Sequence, residues 1–378
     1  MKNYPFLDLA RSNALLIDEL KAAACEVIEG GRYLHGKHTA LLEQELADLC
    51  QVKYCVAVSN GLDALRLIIR AYREMGMLQA DDKVIVPANT YVASVLAVSD
   101  NGLVPTLCEP RKDTMNLDAN CIESLLSPSV RAIMPVHLYG TPCCDEKLLQ
   151  LARHYNLLVI EDNAQAIGAV SSVPGLNGTK VTGGLGHVGA LSFYPTKNLG
   201  ALGDAGAVVT NDERLATTVR AIANYGSDRR YHNIFLGLNC RIDELQAAML
   251  RVKLRHLAQE TERRNAVARA YSQHIAHPQV STPAWIEGTT QVWHQYVIRV
   301  KGDGARDRFR ELLQQQGVDT DIHYATPPHL QPCYRQFKSY KLPITTAMAN
   351  EVVSLPIAHP ITPDDAQEIA HIINGINL

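Results

Sequence analysis

Strand-like apolar runs alternating with helical patterns set the tightest limit on what this chain can fold into. Residues 54–58 form the first such run, which ends at Ser59-Asn60-Gly61. A helical segment follows, with Leu62, Leu65, Ile68, Ile69 and Tyr72 on one face. Further runs lie at 83–86, 104–107, 131–136, 157–160, 190–193 and 207–210, with helical patterns near 91–100 and 145–155. Strands that are apolar throughout, without alternation, need cover on both faces. The expected fold is therefore α/β: a mostly parallel seven-stranded sheet between helices, forming a large domain.

The character changes after the sheet. A single long helix is expected over 241–275, with Ile242, Leu245, Met249 and Val252 inward. Beyond a stretch containing Pro, Thr and Gly at 281–290 comes a smaller α+β unit. It has strands at 296–300 and 318–322 and helices at 306–316 and 363–373. The division falls near 275, giving a large domain over 1–275 and a small one over 276–378.

Composition narrows the partners. With 36 basic and 39 acidic residues the net charge is -3, so no general attraction to nucleic acid or an anionic membrane operates. Nine cysteines, an odd number without paired metal spacing, read as free thiols in a reducing compartment. The first residues lack a signal-peptide apolar stretch, and no segment nears the roughly 20 apolar residues of a membrane span. The cytoplasm is the expected location.

Three segments carry chemistry. Ser192-Phe193-Tyr194-Pro195-Thr196-Lys197 takes a strand to Pro195, which cannot donate to a ladder, and puts Lys197 on a Gly-containing turn where the sheet ends. Desolvation there would lower the amine's pKa toward nucleophilic chemistry. Ile160-Glu161-Asp162 ends an earlier strand in a carboxylate, and Gln165 stands one turn on. An acid at that edge suits the pyridine nitrogen of pyridoxal phosphate, keeping the ring protonated as an electron sink. Ser59-Asn60-Gly61-Leu62 joins a strand to a helix, where free N–H groups and the helix dipole favour a phosphate, and Ser192 can add a hydroxyl. Each has a plainer reading alone: a surface lysine, a helix-capping acid, a capped helix start.

Together and in this order the three segments resemble the DegT/DnrJ/EryC1/StrS family of sugar aminotransferases, which belong to fold type I of the pyridoxal-phosphate enzymes. The likeness spans nearly the whole chain, including Gly31-Arg32-Tyr33-Leu34-His35-Gly36, Pro87-Ala88-Asn89-Thr90-Tyr91, Asn224-Tyr225-Gly226-Ser227, Asn239-Cys240-Arg241-Ile242-Asp243-Glu244 and Ile322-His323-Tyr324. It implies that Lys197 bonds the cofactor and shuttles the proton, and that Asp162 partners the pyridine nitrogen. Gln165 would lie near the ring oxygen and Tyr91 would stack on the ring. Gly61, Leu62 and Ser192 would hold the phosphate. Asn239 would reach the phosphate of a neighbouring subunit, which implies a homodimer with shared active sites. Tyr33, Tyr225, Arg229, His323, Tyr324 and His329 fall in segments implied to face the substrate.

The implied reaction is ping-pong amination of C3 of a dTDP-3-oxo-6-deoxyhexose by L-glutamate, with pyridoxamine phosphate as the alternate cofactor form. A 4-oxo sugar substrate and a non-catalytic regulator that binds the cofactor are the competing readings. The sequence departs from the family pattern at Gly183-Gly184-Leu185-Gly186-His187, where His187 replaces a usual acid, and at Ala205, which replaces a usual glycine.

Other motifs are read as structural. Gly184-Leu185-Gly186-His187-Val188-Gly189 fits GxGxxG, but a strand follows it where a dinucleotide site needs a helix. His35/His38 and His323/His329 lack a second pair at ligand spacing, so no metal is expected. Cys143-Cys144 reads as a pair of thiols and Arg229-Arg230 as either a pyrophosphate contact or a solvated pair.

Overall fold

The computed structural model describes residues 2–378. Seven strands, β1 (Tyr54–Val58), β2 (Lys83–Pro87), β3 (Val104–Cys108), β4 (Val130–Ile133), β5 (Leu158–Asp162), β6 (Val188–Ser192) and β7 (Gly206–Thr210), form one sheet in the order β1-β7-β6-β5-β4-β2-β3. The β7 strand is antiparallel to both β1 and β6, and all other pairings are parallel. The expected α/β sheet is thus present. Its direction pattern brings the C-terminal ends of β1 to β6 to one edge, where ligands bind in open α/β sheets.

Alternate residues of a strand face opposite sides, and β1 uses both. Val56 and Val58 join a core with the helices Gly61–Glu74, Val92–Ser99 and Glu213–Ala223, whereas Cys55 and Ala57 join one with the helices Lys37–Cys50 and Glu244–Leu254. The Gly61–Glu74 helix starts where it does because Asn60 Oδ1 accepts the Asp63 N–H at 2.8 Å, with the Asp63 carboxylate in the first turn.

A short hairpin of β8 (Ser227–Arg229) and β9 (His232–Asn233) follows the main sheet. The C-terminal part holds an antiparallel three-stranded sheet, with β11 (Tyr296–Val300) between β10 (Val280–Ser281) and β12 (Val352–Leu355). Its core combines Val267, Tyr271, Phe309 and Ile369, and it also takes in Tyr4 from the other end of the chain.

Two expectations need correction. The helical pattern over 241–275 is two helices, Glu244–Leu254 and Leu257–His274. The first packs on the helices Ile17–Gly30 and Lys37–Cys50, the second on Pro363–Asn374, so one straight rod cannot serve both. The segment 318–322 is no strand: Val318 and Asp321 make isolated bridges to Tyr4 and Ser354. Its apolar residues go to separate cores, Val318 with the C-terminal cluster and Ile322 against Met115 and Val136, so it cannot run along one partner. The strand missed in its place is β12. No helix among the described residues is long and apolar enough to cross a membrane.

Candidate active site

Asp162 is the last residue of β5 and pairs in register with Ala190 of β6. Its backbone is fixed from both sides: its N–H donates to Pro135 O at 2.9 Å, and its carbonyl accepts the His137 N–H at 3.1 Å. The side chain is 5% exposed. Oδ2 accepts the Ser94 hydroxyl at 2.7 Å, and Oδ1 accepts only the Ala164 N–H, at 3.2 Å. A carboxylate has about four acceptor positions, so capacity remains for one more donor.

Lys197 lies past the end of β6, on a turn closed by its own N–H to Tyr194 O at 2.8 Å. Gly200 lets this turn fold back, because a Cβ there would stand 2.3 Å from Pro195 O. Burial lowers the Lys197 amine from 10.5 to about 8, against the opposing pull of the Asp162 carboxylate. The side chain makes no hydrogen bond or ion pair among the described residues, which is unusual for a partly buried cation. His294, buried beside it, is pushed down by burial and by the Lys197 charge, so its ring is neutral.

Gln165 and Tyr324 complete the floor. Gln165 Oε1 accepts the Tyr139 N–H at 2.7 Å, and its Nε2 donates to the Tyr324 hydroxyl at 3.0 Å. Tyr91 and Tyr324 lie with ring centroids 5.3 Å apart, and Tyr91 keeps 54% of its surface exposed, offering an open aromatic face. His323 hydrogen-bonds Ser354 at 2.8 Å, and its carbonyl accepts the Tyr139 hydroxyl.

The third corner is the start of the Gly61–Glu74 helix. A Cβ on Gly61 would stand 2.5 Å from the Ser192 Cβ, so only glycine lets the helix N-terminus meet the end of β6. Gly61→Ala is expected to push the two apart and weaken phosphate binding at least tenfold, as roughly 1.4 kcal/mol of lost contact would require. Titrating the cofactor-stripped variant with pyridoxal phosphate checks this.

The structure thus brings together Lys197, Asp162, Gln165, Tyr91, Tyr324, His323, Gly61, Leu62 and Ser192 at one sheet edge. It does not bring in the rest. Tyr33 and Tyr225 are 52% and 51% exposed, with Tyr225 against Arg241. Arg229 is exposed on the β8 hairpin, and Asn239 is exposed beside it. His329 is buried against Thr346, 3.3 Å away, with no bond to this cluster.

Sequence reasoning missed Ser94, Tyr139 and His294. Ser94 stands one turn beyond Tyr91 on a helix opening at that edge and was in principle findable; the other two arrive from distant loops. It also missed the use of the GxGxxG-like turn. Gly183 and Gly186 donate their N–H groups, both at 2.7 Å, to the fully buried Glu161 carboxylate. His187, the departure from the family pattern, accepts the Val159 N–H at 2.9 Å, so an acceptor is retained there.

An unpaired amine, an acid with spare capacity, an open aromatic face and a helix N-terminus with no room for a side chain form a donor set that fits pyridoxal phosphate. With the sheet order, they define an α/β enzyme of fold type I. The sequence model of the DegT/DnrJ/EryC1/StrS aminotransferase family matches residues 15–374, and this chain belongs to that family. It is an aminotransferase, and pyridoxal phosphate is its cofactor.

The chain is 44% identical over 370 residues to a dTDP-3-amino-3,6-dideoxy-alpha-D-galactopyranose transaminase of Aneurinibacillus thermoaerophilus, covering 98% of both. It is 41% identical over 356 residues to a dTDP-3-amino-3,4,6-trideoxy-alpha-D-glucose transaminase of Streptomyces venezuelae, covering 93% of this chain and 90% of that one. Among solved structures, DesV of S. venezuelae matches with a TM-score of 0.92 and 39% identity, over 99% of this chain and 98% of that one.

Proposed function

We propose that the protein transfers an amino group from L-glutamate to C3 of a dTDP-3-oxo-6-deoxyhexose. The observation that carries the reading is Lys197: an unpaired amine with a pKa lowered to about 8, in the field of Asp162. The two transaminases named above, both described by 3-amino dTDP-sugars, support C3 over C4.

Lys197 would bond the cofactor, and pyridoxal phosphate supplies a protonated pyridine ring that takes up carbanion charge. Once free, the Lys197 amine would serve as the base that takes a proton from one carbon and returns it to another. Asp162 would keep the pyridine nitrogen protonated, with its Oδ2 held by the Ser94 hydroxyl at 2.7 Å. Gln165, oriented by the Tyr139 N–H, would serve the ring hydroxyl. Tyr91 would cover the ring face, and Gly61, Leu62 and Ser192 would hold the phosphate. Tyr324 and His323 would line the sugar side, with Tyr33, Tyr225, Arg229 and His329 as further candidates for the nucleotide sugar.

A homodimer is part of the proposal. Tyr231, Ile234 and Leu236, on or just past the β8–β9 hairpin, are 86%, 49% and 80% exposed, and Asn239 beside them has no side-chain partner among the described residues. Large apolar side chains grouped at a surface mark an interface. Asn239 would then reach a neighbour's phosphate site. The division near residue 275, where the Leu257–His274 helix ends, and a cytoplasmic location complete the reading.

Assaying dTDP-3-oxo- and dTDP-4-oxo-6-deoxyhexoses side by side with glutamate tests it. Faster amination of the 4-oxo sugar would overturn the assignment to C3. Colour that glutamate cannot bleach would favour binding without turnover.

A pH dependence follows from the lysine. Only the neutral amine captures the cofactor, so capture by stripped protein should rise with pH and level off above about 8. The sign for stability agrees. Between pH 8 and 10.5 the unfolded chain holds a proton that the folded lysine has lost, so the cofactor-free fold gains stability as pH rises there. Absorbance recovery and thermal melts across that range check both.

A further inference from the structure

Behind the acid that serves the cofactor lies a second cluster the transamination does not use. Glu161 precedes Asp162 in β5 and is fully buried, with both oxygens accepting glycine N–H groups. Its Oε2 also takes the Nε2–H of His137, likewise fully buried, at 2.8 Å. That bond puts the proton of the neutral imidazole on Nε2 and leaves Nδ1 as an acceptor toward Cys143. Nδ1 accepts the Cys143 N–H at 3.1 Å and lies 3.4 Å from the Cys143 Sγ, so taking the thiol proton replaces the bond from the N–H. Cys144 is buried next to it, while Cys143 alone of the four residues keeps part of its surface exposed. A nucleophile in reach of a base that a third group orients is the arrangement that activates thiols.

We propose that Cys143 is a modification site for soft electrophiles, with His137 as its base and Glu161 as the group that orients the base. When the sulfur attacks, the S–C bond forms as the carbon–leaving-group bond breaks. In the thiol form the proton is donated to the Val136 carbonyl, 3.2 Å from Sγ; above about pH 6 it has already passed to Nδ1. Burial lowers the His137 pKa, but the adjacent Cys143 and Glu161 outweigh that and raise it to about 10, so the pair rests as thiolate and imidazolium near neutral pH. The resulting imidazolium is held by the Glu161 carboxylate. Burial raises the Cys143 thiol, but its hydrogen bond with Cys144 and the adjacent His137 outweigh that and bring it down to about 6. An adduct there would crowd His137 against Glu161, one residue from Asp162, so modification should also lower transamination.

Iodoacetamide is the probe, used on the holoenzyme with peptide mapping by mass spectrometry. Cys25 and Cys333, both exposed, are internal references in the same sample. Near neutral pH a thiol of low pKa gains thiolate but loses nucleophilicity, so the contrast there is small. At pH 6 the gain dominates, and Cys143 should alkylate about tenfold faster than a thiol of ordinary pKa, about 8.5. Its rate should be half-maximal near pH 6, a shape that does not depend on how accessible the sulfur is. The Cys143→Ser variant should transaminate normally and resist inactivation. Labelling of Cys143 no faster than of Cys25 and Cys333 at pH 6, or a half-maximal rate at pH 8 or above, overturns the proposal. His137→Asn is a further check: if it folds, the low-pH reactivity should vanish.

Discussion

Lys197→Ala is expected to reduce transamination by at least about 10⁴-fold, because it removes the group proposed both to bond the cofactor and to move the proton. The fold should survive. The side chain makes no hydrogen bond or ion pair among the described residues, and the turn that presents it is held by backbone contacts. Truncating it even removes the cost of keeping an amine where burial lowers it to about 8. Circular dichroism and melting temperature should match the unaltered protein, while single-turnover mixing with glutamate gives no pyridoxamine phosphate. Turnover within tenfold of the original would end the case for Lys197.

Asp162→Asn is expected to cost about 10²–10³-fold in kcat, the scale of losing one fixed electrostatic partner in a shielded site. The amide keeps the size of the acid and can still accept the Ser94 hydroxyl, now 2.7 Å from Oδ2, so geometry is largely retained. What goes is the negative charge proposed to hold a proton on the pyridine nitrogen. The loss should therefore fall on kcat more than on sugar KM, and the absorbance of the bound cofactor should shift. Ser94→Ala should lie between, at about tenfold, because it removes a hydrogen bond to a charged group worth roughly 1.5–3 kcal/mol and leaves the charge. If Asp162→Asn and Ser94→Ala lost activity equally, orientation rather than charge would be the role of this corner.

These outcomes separate what local sequence encodes from what packing adds. All seven sheet strands were legible because each is a short apolar run bounded by turn residues, and burial on both faces leaves few other readings. The lysine, the acid and the helix start could be read because each closes a strand, and parallel strands bring their ends to one edge. The long helix was misread because no Gly or Pro marks a break at Arg255-His256. Only the presence of two separate packing partners shows why it breaks. The segment at 318–322 looked like a strand because a five-residue window cannot reveal that its apolar side chains enter different cores.

By itself, the sequence determined the seven strands, a mostly parallel sheet and the three segments that end at its edge, since period and turn chemistry are local properties; the reversal of β7 came from the structure. Tertiary structure alone decided the state of those residues. It left Lys197 unpaired, brought Ser94 to Asp162 and Tyr324 to Gln165, and set His137 between Glu161 and Cys143. Desolvation and hydrogen-bond partnership depend on groups far apart along the chain, and no short stretch of sequence carries that information.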